Sequence, residues 1–266
     1  MTSIACDAGL TRHYSAPPHI PEAEWQARLD LAAAYRLAAA QGWHDLLGTH
    51  FSSRVPGTTD QFLVNPYGLL FEEITASSLV KIDLEGKVIG DNGYNVNPAA
   101  DVIHGGIYAA RPDVNAIVHL HSVAGVAVAS QEDGLLPISQ NAMIIRGRVR
   151  YYPFTGVKLD REECARMAAA LGEQTILFLQ NHGTLVAGHT IGEAYSFVVR
   201  VERACQIQLA AQASGARLKV VEPQWVEQAA QFGLRLYTEN SWSPGAVTEW
   251  NAFRRKIDRD DPGYAQ

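Results

Sequence analysis

NPAADVIHGGIYAARPDVNAIVHLHS, residues 97–122, passes from helix to strand and ends on two histidines one residue apart. Pro98 opens a stretch to Ala110 that reads as a helix with proline in its first turn, where a missing N–H costs nothing. RPDVN (111–115) breaks it, and AIVHLH (116–121) is a short apolar strand. Residues i and i+2 of a strand face the same way, so His119 and His121 present both imidazoles to one point. Two neutral imidazoles are an ordinary start to a divalent metal site. His182 lies in the turn NHG after the apolar strand TILFLQ (175–180) and is the third candidate. Three histidines from two strand ends give the open, three-ligand pattern of a catalytic metal, with water or substrate completing the shell.

The neighbouring segments extend this pattern. SVAGVAVAS (122–130) is a small-residue helix, and TLVAG (184–188) is a second strand after the NHG turn. Upstream, HFSSRVPG (50–57) and FLVNPYG (62–68) alternate as two strands joined by the polar turn TTD (58–60). LVKID (79–83) is another strand. Helical spacing marks 22–41, 160–171 and the longest run, 192–214. Residues 135–158 read as extended, punctuated by Gly and Pro. Beyond Gly215 the chain becomes polar and aromatic, with Trp225, Trp242 and Trp250. Residues 1–21, with three prolines, read as a flexible lead-in. The expectation is one mixed α/β domain over 22–266 with a docked C-terminal segment.

Composition narrows the classes of function. Of 266 residues, 47% are hydrophobic and 19% charged, enough to bury a core and to exclude disorder over most of the chain. The net charge of −6 argues against nucleic-acid and membrane-surface partners, which need a basic face. No apolar run approaches the roughly 20 residues that cross a bilayer, and the N-terminus does not read as a signal peptide. Cys6, Cys164 and Cys205 are scattered without CxxC spacing and read as reduced thiols of a cytoplasmic protein.

The stretch 97–122, followed some sixty residues later by LQNHGTLVAG, resembles the class II aldolase/adducin family. HFSSRVPG and FLVNPYGLLFEEITASSLVKID match its early hairpin and strand, and DRDDPGY resembles the tails of its adducin-like bacterial members. The similarity runs from about Leu29 to Ser214. It implies a three-layer α/β/α fold around a mostly antiparallel sheet and a homotetramer. It also implies zinc, or else Mn, Fe or Co, on His119, His121 and His182, and carbon–carbon cleavage through a metal-stabilised enolate.

The departures from the family pattern bear on substrate. The acid/base carboxylate that sugar-phosphate aldolases carry four residues before the helix histidine falls, counting from His104, on Ala100. Their two phosphate-binding serines fall on Pro98 and Ala99, and the Asn of their Gly-Asn phosphate loop falls on His50. Pro and Ala offer no side-chain donor, so the expected substrate is an unphosphorylated hydroxy or keto acid, cleaved as an aldol or decarboxylated. His104, Asp101 (about 100° round the helix from Ala100) and Glu73 are the candidates for proton transfer. His104 could equally support HLH from behind. His50, Arg146, Arg148 and Tyr152 are candidates for substrate binding, the arginines through a bidentate grip on a carboxylate. The competing expectation is a non-catalytic binding module like the adducin heads, which lose metal ligands that this chain keeps.

Overall fold

In the computed structural model, residues 11–90, 93–157 and 160–266 are described, apart from the side chains at 98 and 101. Seven strands form one sheet: β1 (His50–Arg54), β2 (Gln61–Val64), β3 (Val80–Asp83), β4 (Ala116–Leu120), β5 (Val149–Tyr152), β6 (Ile176–Leu179) and β7 (Gly183–Gly188). Their order is β3-β2-β1-β4-β7-β6-β5. Only the β5–β6 pair is parallel among the described strands. β4, which carries the HLH sequence, is therefore central, with β1 on one side and β7 on the other.

Alternation along β4 sorts its side chains into two cores. Ala116, Val118 and Leu120 pack with helices α1 (Glu22–Ala40), α3 (Val123–Ala129), α4 (Gln140–Ile145) and α6 (Ile191–Ala213). Ile117 faces the other way, into the core made with α2 (Pro98–Ala110) and α5 (Arg161–Leu171). Helices thus cover both faces, and the three-layer α/β/α expectation holds. By the same alternation His119 lies on the α2/α5 face. So does Ser52 of β1, whose hydroxyl meets Tyr108 of α2 at 2.8 Å.

The structure differs from the sequence reading in two regions. Residues 135–158 are not extended throughout. Ser139 caps α4, its hydroxyl accepting from the Ala142 N–H at 3.2 Å, and a 3₁₀ turn over Arg146–Arg148 leads into β5. The C-terminal segment is largely helical, as α7 (Pro223–Leu234) and α8 (Val247–Asp260). α7 packs on α4, and α8 on α6 and α1. The Trp250 indole donates to Asp30 at 3.0 Å, and Arg254 pairs with the same carboxylate. Gly192 permits this packing, because a Cβ there would strike the Trp250 ring. Of the lead-in, residues 11–20 form no regular element, but the Arg12 N–H and the Tyr14 hydroxyl bind Asp258 of α8 at 3.0 and 3.2 Å. No described helix is long and apolar enough to cross a membrane.

Candidate metal centre

His119, at the end of β4, and His121, just beyond it, meet His182 from the β6–β7 turn. One ring nitrogen from each lies within 4.8 Å of the others. The turn is made by Gln180, Asn181 and His182, with Asn181 in the left-handed region at φ +57°, which Asn adopts more readily than most residues. The His182 N–H closes it on the Leu179 carbonyl at 3.0 Å. Gly183 is required next, because a Cβ there would fall on the Leu120 carbonyl oxygen. NHG is therefore the sequence that lets β7 pass close to β4 and aims His182 at the HLH pair.

The outer nitrogens of two of these rings are taken. His119 Nδ1 is 3.0 Å from the Thr184 carbonyl oxygen, to which it donates. His121 Nδ1 is 3.0 Å from an Asp45 carboxylate oxygen. Each bond commits the ring proton to Nδ1 and leaves Nε2 with a lone pair. Those two Nε2 atoms are only 2.9 Å apart. With the ring protons on Nδ1, both Nε2 lone pairs turn toward one point, so the donor set fits a divalent metal. Burial first, then its histidine neighbours, pushes His119 well below the usual imidazole range. Burial and His121 bring His182 down to about 4. Both rings are neutral at pH 7, as ligation requires.

Behind this cluster runs a buried polar chain. His50 stands directly opposite His119 in the β1–β4 register, with ring centroids 5.0 Å apart. Its Nδ1 is 3.0 Å from His104 Nε2, and His104 Nδ1 is 2.6 Å from the Ser52 hydroxyl, which reaches Tyr108. Burial keeps His50 and His104 well below the usual imidazole range.

A cavity of about 300 Å³ opens onto the three histidines. His50 and Tyr152 line it, together with the apolar Ile103, Phe154, Met167 and Leu179. A larger groove of about 880 Å³ between α2 and α5 contains none of the clustered histidines.

Several sequence candidates stand elsewhere. His104 is fully buried with both ring nitrogens engaged, so it sits one layer behind His50 instead of lining the cavity. Glu73 is exposed and accepts the Leu70 N–H at 2.8 Å, fastening its own 3₁₀ turn. Arg148 is spent on the carbonyls of Gly233, Leu234 and Leu236 and lies over the Phe197 ring, so it clamps the end of α7. Arg146 is exposed beside Leu135, Pro137 and Tyr151, in a separate hollow. The 3₁₀ turn at 146–148 carries both arginines away from the histidines. The Asp101 side chain lies outside the described residues.

Two residues at the site were not singled out from sequence. Asp45 comes from an irregular loop, WHDLLGTH, with no periodicity to mark it. Glu163 occupies the third position of α5 behind the Asp160 cap, where an acidic residue reads as ordinary capping. Glu163 lines the cavity and is almost fully buried. Its Oε1 accepts from the Tyr152 hydroxyl at 2.9 Å and from Thr155, and its Oε2 from Arg166 at 2.6 Å. The Thr155 bond first, then Arg166, holds its carboxyl down to about 2.

Comparison with known proteins agrees with this architecture. Residues 29–209 match the class II aldolase and adducin N-terminal domain. The chain belongs to the class II aldolase/adducin family. It is 43% identical over 247 residues to a Pseudomonas aeruginosa protein named for the class 2 aldolases, covering 93% of this chain and 95% of that one. It is 42% identical over 190 residues to Rattus norvegicus alpha-adducin, covering 70% of this chain but 26% of adducin. An aldolase II superfamily protein of Pseudomonas syringae superposes with a TM-score of 0.87 at 42% identity, covering 92% of this chain and 97% of that one. L-fuculose 1-phosphate aldolase from Glaciozyma antarctica superposes with a TM-score of 0.79 at 28% identity, covering 94% and 97%.

Proposed function

We propose that this protein is a divalent-metal-dependent carbon–carbon lyase acting on an unphosphorylated hydroxy or keto acid, by aldol cleavage or decarboxylation. The observation that carries the reading is the pair of facing Nε2 atoms of His119 and His121, 2.9 Å apart, with His182 beside them. His119, His121 and His182 would hold the ion, with zinc the first choice and Mn, Fe or Co acceptable to three imidazoles. Bound there, the ion supplies the Lewis-acid charge that lets a neighbouring carbon carry negative charge.

The chain's own residues do the rest. His50 reaches the cavity while His104 holds its Nδ1, so its Nε2 is the position left to give or take a proton. His104 is a positioning residue. The Tyr152 hydroxyl, held by Glu163, contributes a fixed oxygen, and the buried Ile103, Met167 and Leu179 give the cavity an apolar wall. Pro98, Ala99 and Ala100 put no serine hydroxyl or carboxylate at the three positions where the sugar-phosphate aldolases carry them, which argues against a phosphorylated substrate although the Glaciozyma antarctica relative is named for one. With Arg146 and Arg148 elsewhere, a second substrate carboxylate has no Lys or Arg partner among the described cavity residues.

A homotetramer fits the same reading: Leu46, Val123, Phe154 and Val157, all exposed apolar side chains, sit on or next to the segments that bear the site. A 29.0 kDa monomer in light scattering would contradict it. The competing reading, a binding module without chemistry, has the alpha-adducin similarity on its side and requires no metal. The deciding experiment is a paired assay of the zinc-loaded protein on phosphorylated and unphosphorylated forms of the same hydroxy and keto acids. Faster turnover of the unphosphorylated form supports the proposal. Faster turnover of the phosphorylated form, or none of either, contradicts it.

A further inference from the structure

The cavity over the three histidines contains one ionised side chain, Glu163, and no Lys or Arg among its described lining residues. The Glu163 side chain is only 3% exposed, whereas that of its partner Arg166 is 45% exposed and lies outside the lining. Water screens the guanidinium far more than the carboxylate. A ligand in the cavity therefore meets mainly the negative end of this ion pair. Tyr152 adds a second constraint. Its proton is committed to Glu163 Oε1 at 2.9 Å and Arg166 also bonds the hydroxyl, so the one lone pair left on its oxygen meets a ligand as a hydrogen-bond acceptor. The rest of the lining is largely apolar.

We propose that Glu163 determines specificity in this site: it rejects a ligand whose tail is anionic and admits one whose tail is uncharged and carries a hydroxyl that donates to the Tyr152 oxygen. The inference rests on the metal reading above, because the ion is what anchors the head of the ligand. It narrows that reading to substrates with a single anionic or chelating end. Glu163 acts by its charge and by orienting Tyr152. A carboxyl held this strongly ionised is a poor proton acceptor, so it takes no part in proton transfer.

The test is calorimetric and needs no turnover. Zinc content is measured first. The zinc-loaded protein is then titrated with two hydroxamates of equal length, 4-hydroxybutanohydroxamate and succinic monohydroxamate, which share a chelating head and differ in a hydroxyl or carboxylate tail. The wild type should prefer the hydroxyl-ended probe by a factor of ten or more. Glu163→Gln should close most of that gap by tightening the carboxylate-ended probe. Arg166→Met, which removes the compensating charge and leaves Glu163 in place, should widen the gap. It decides the matter if Glu163→Gln does not fold. Equal binding of the two probes by the wild type, a preference for the carboxylate tail, or a gap unmoved by these variants would overturn the inference. So would zinc-loaded protein that binds neither probe. A wild type that takes up no zinc overturns the metal reading, and this inference with it, and is recognised before any probe is added.

Discussion

The Nε2 atoms of His119 and His121 face each other at 2.9 Å, and the far nitrogen of each ring is fixed, one by the Thr184 carbonyl and the other by Asp45. A strand alone would aim both rings the same way. The two outer hydrogen bonds also select the tautomer, so both lone pairs point inward. That arrangement fits a shared cation.

Asp45 should therefore matter to metal affinity although it touches no metal. Asp45→Asn is expected to weaken zinc binding by about 10–100-fold, with little change in thermal unfolding of the metal-free protein. Competition against a chromophoric chelator measures it. Unchanged affinity would mean that His121 needs no outer partner.

Gly183→Ala should damage both fold and site, because its Cβ would collide with the Leu120 carbonyl oxygen and crowd the His121 ring. The expected loss of stability is about 2–3 kcal/mol, together with weaker zinc binding. Urea unfolding and metal analysis of the same preparation would show both effects. A protein as stable as wild type would show that β7 can move away from β4 at small cost.

His104→Ala should leave metal content nearly unchanged while removing about 1–3 kcal/mol of stability, the cost of leaving His50 Nδ1 and the Ser52 hydroxyl without their buried partner. Metal loss equal to that of a ligand variant would place His104 among the ligands.

Much of the fold was legible because its signals were local. The α2 bounds, Pro98 to Ala110, follow from a proline at the start and the RPDVN breaker. The β6–NHG–β7 hairpin follows from two apolar runs round an Asn-His-Gly turn. Period-two alternation sufficed to pair His119 with His121. The family resemblance, more than any periodicity, supplied the sheet's antiparallel character. What was missed depends on contacts distant in sequence. Arg148 reads as a ligand for a carboxylate until the end of α7 is seen to supply three carbonyls for it. His104 reads as a catalytic histidine until Ser52 and His50 are found on either side. Glu163 is hidden because a capping position and a cavity wall coincide at one residue. Asp45 sits in a loop whose course no propensity describes.

Glu202 offers a pH test away from the ligands. It is buried in α6, accepts the Ser122 hydroxyl at 2.6 Å, and has the Cys205 thiol nearby. Its Oε2 has no hydrogen-bond partner among the described residues. Burial raises its carboxyl to about 7 from the ordinary 4.5. The folded state therefore holds a proton that the unfolded chain releases. Its contribution to stability is largest below about pH 4.5 and is lost as pH rises to about 7, in total roughly 2–3 kcal/mol. The buried histidines, with lowered values, act in the opposite direction, losing stability as pH falls. Only the difference between wild type and Glu202→Gln isolates the carboxyl. Urea midpoints at pH 5 and pH 8 should show the variant gaining on wild type at pH 8. A difference independent of pH would mean that Glu202 ionises normally in the fold.

The most direct test of the central claim is the metal content of protein purified without chelator, by inductively coupled plasma mass spectrometry, for wild type and His182→Ala. The account predicts about one divalent ion per chain in wild type. It predicts a large loss in the variant, with circular dichroism unchanged. Full occupancy in His182→Ala, or a wild type that holds no ion even when zinc is supplied, would contradict it.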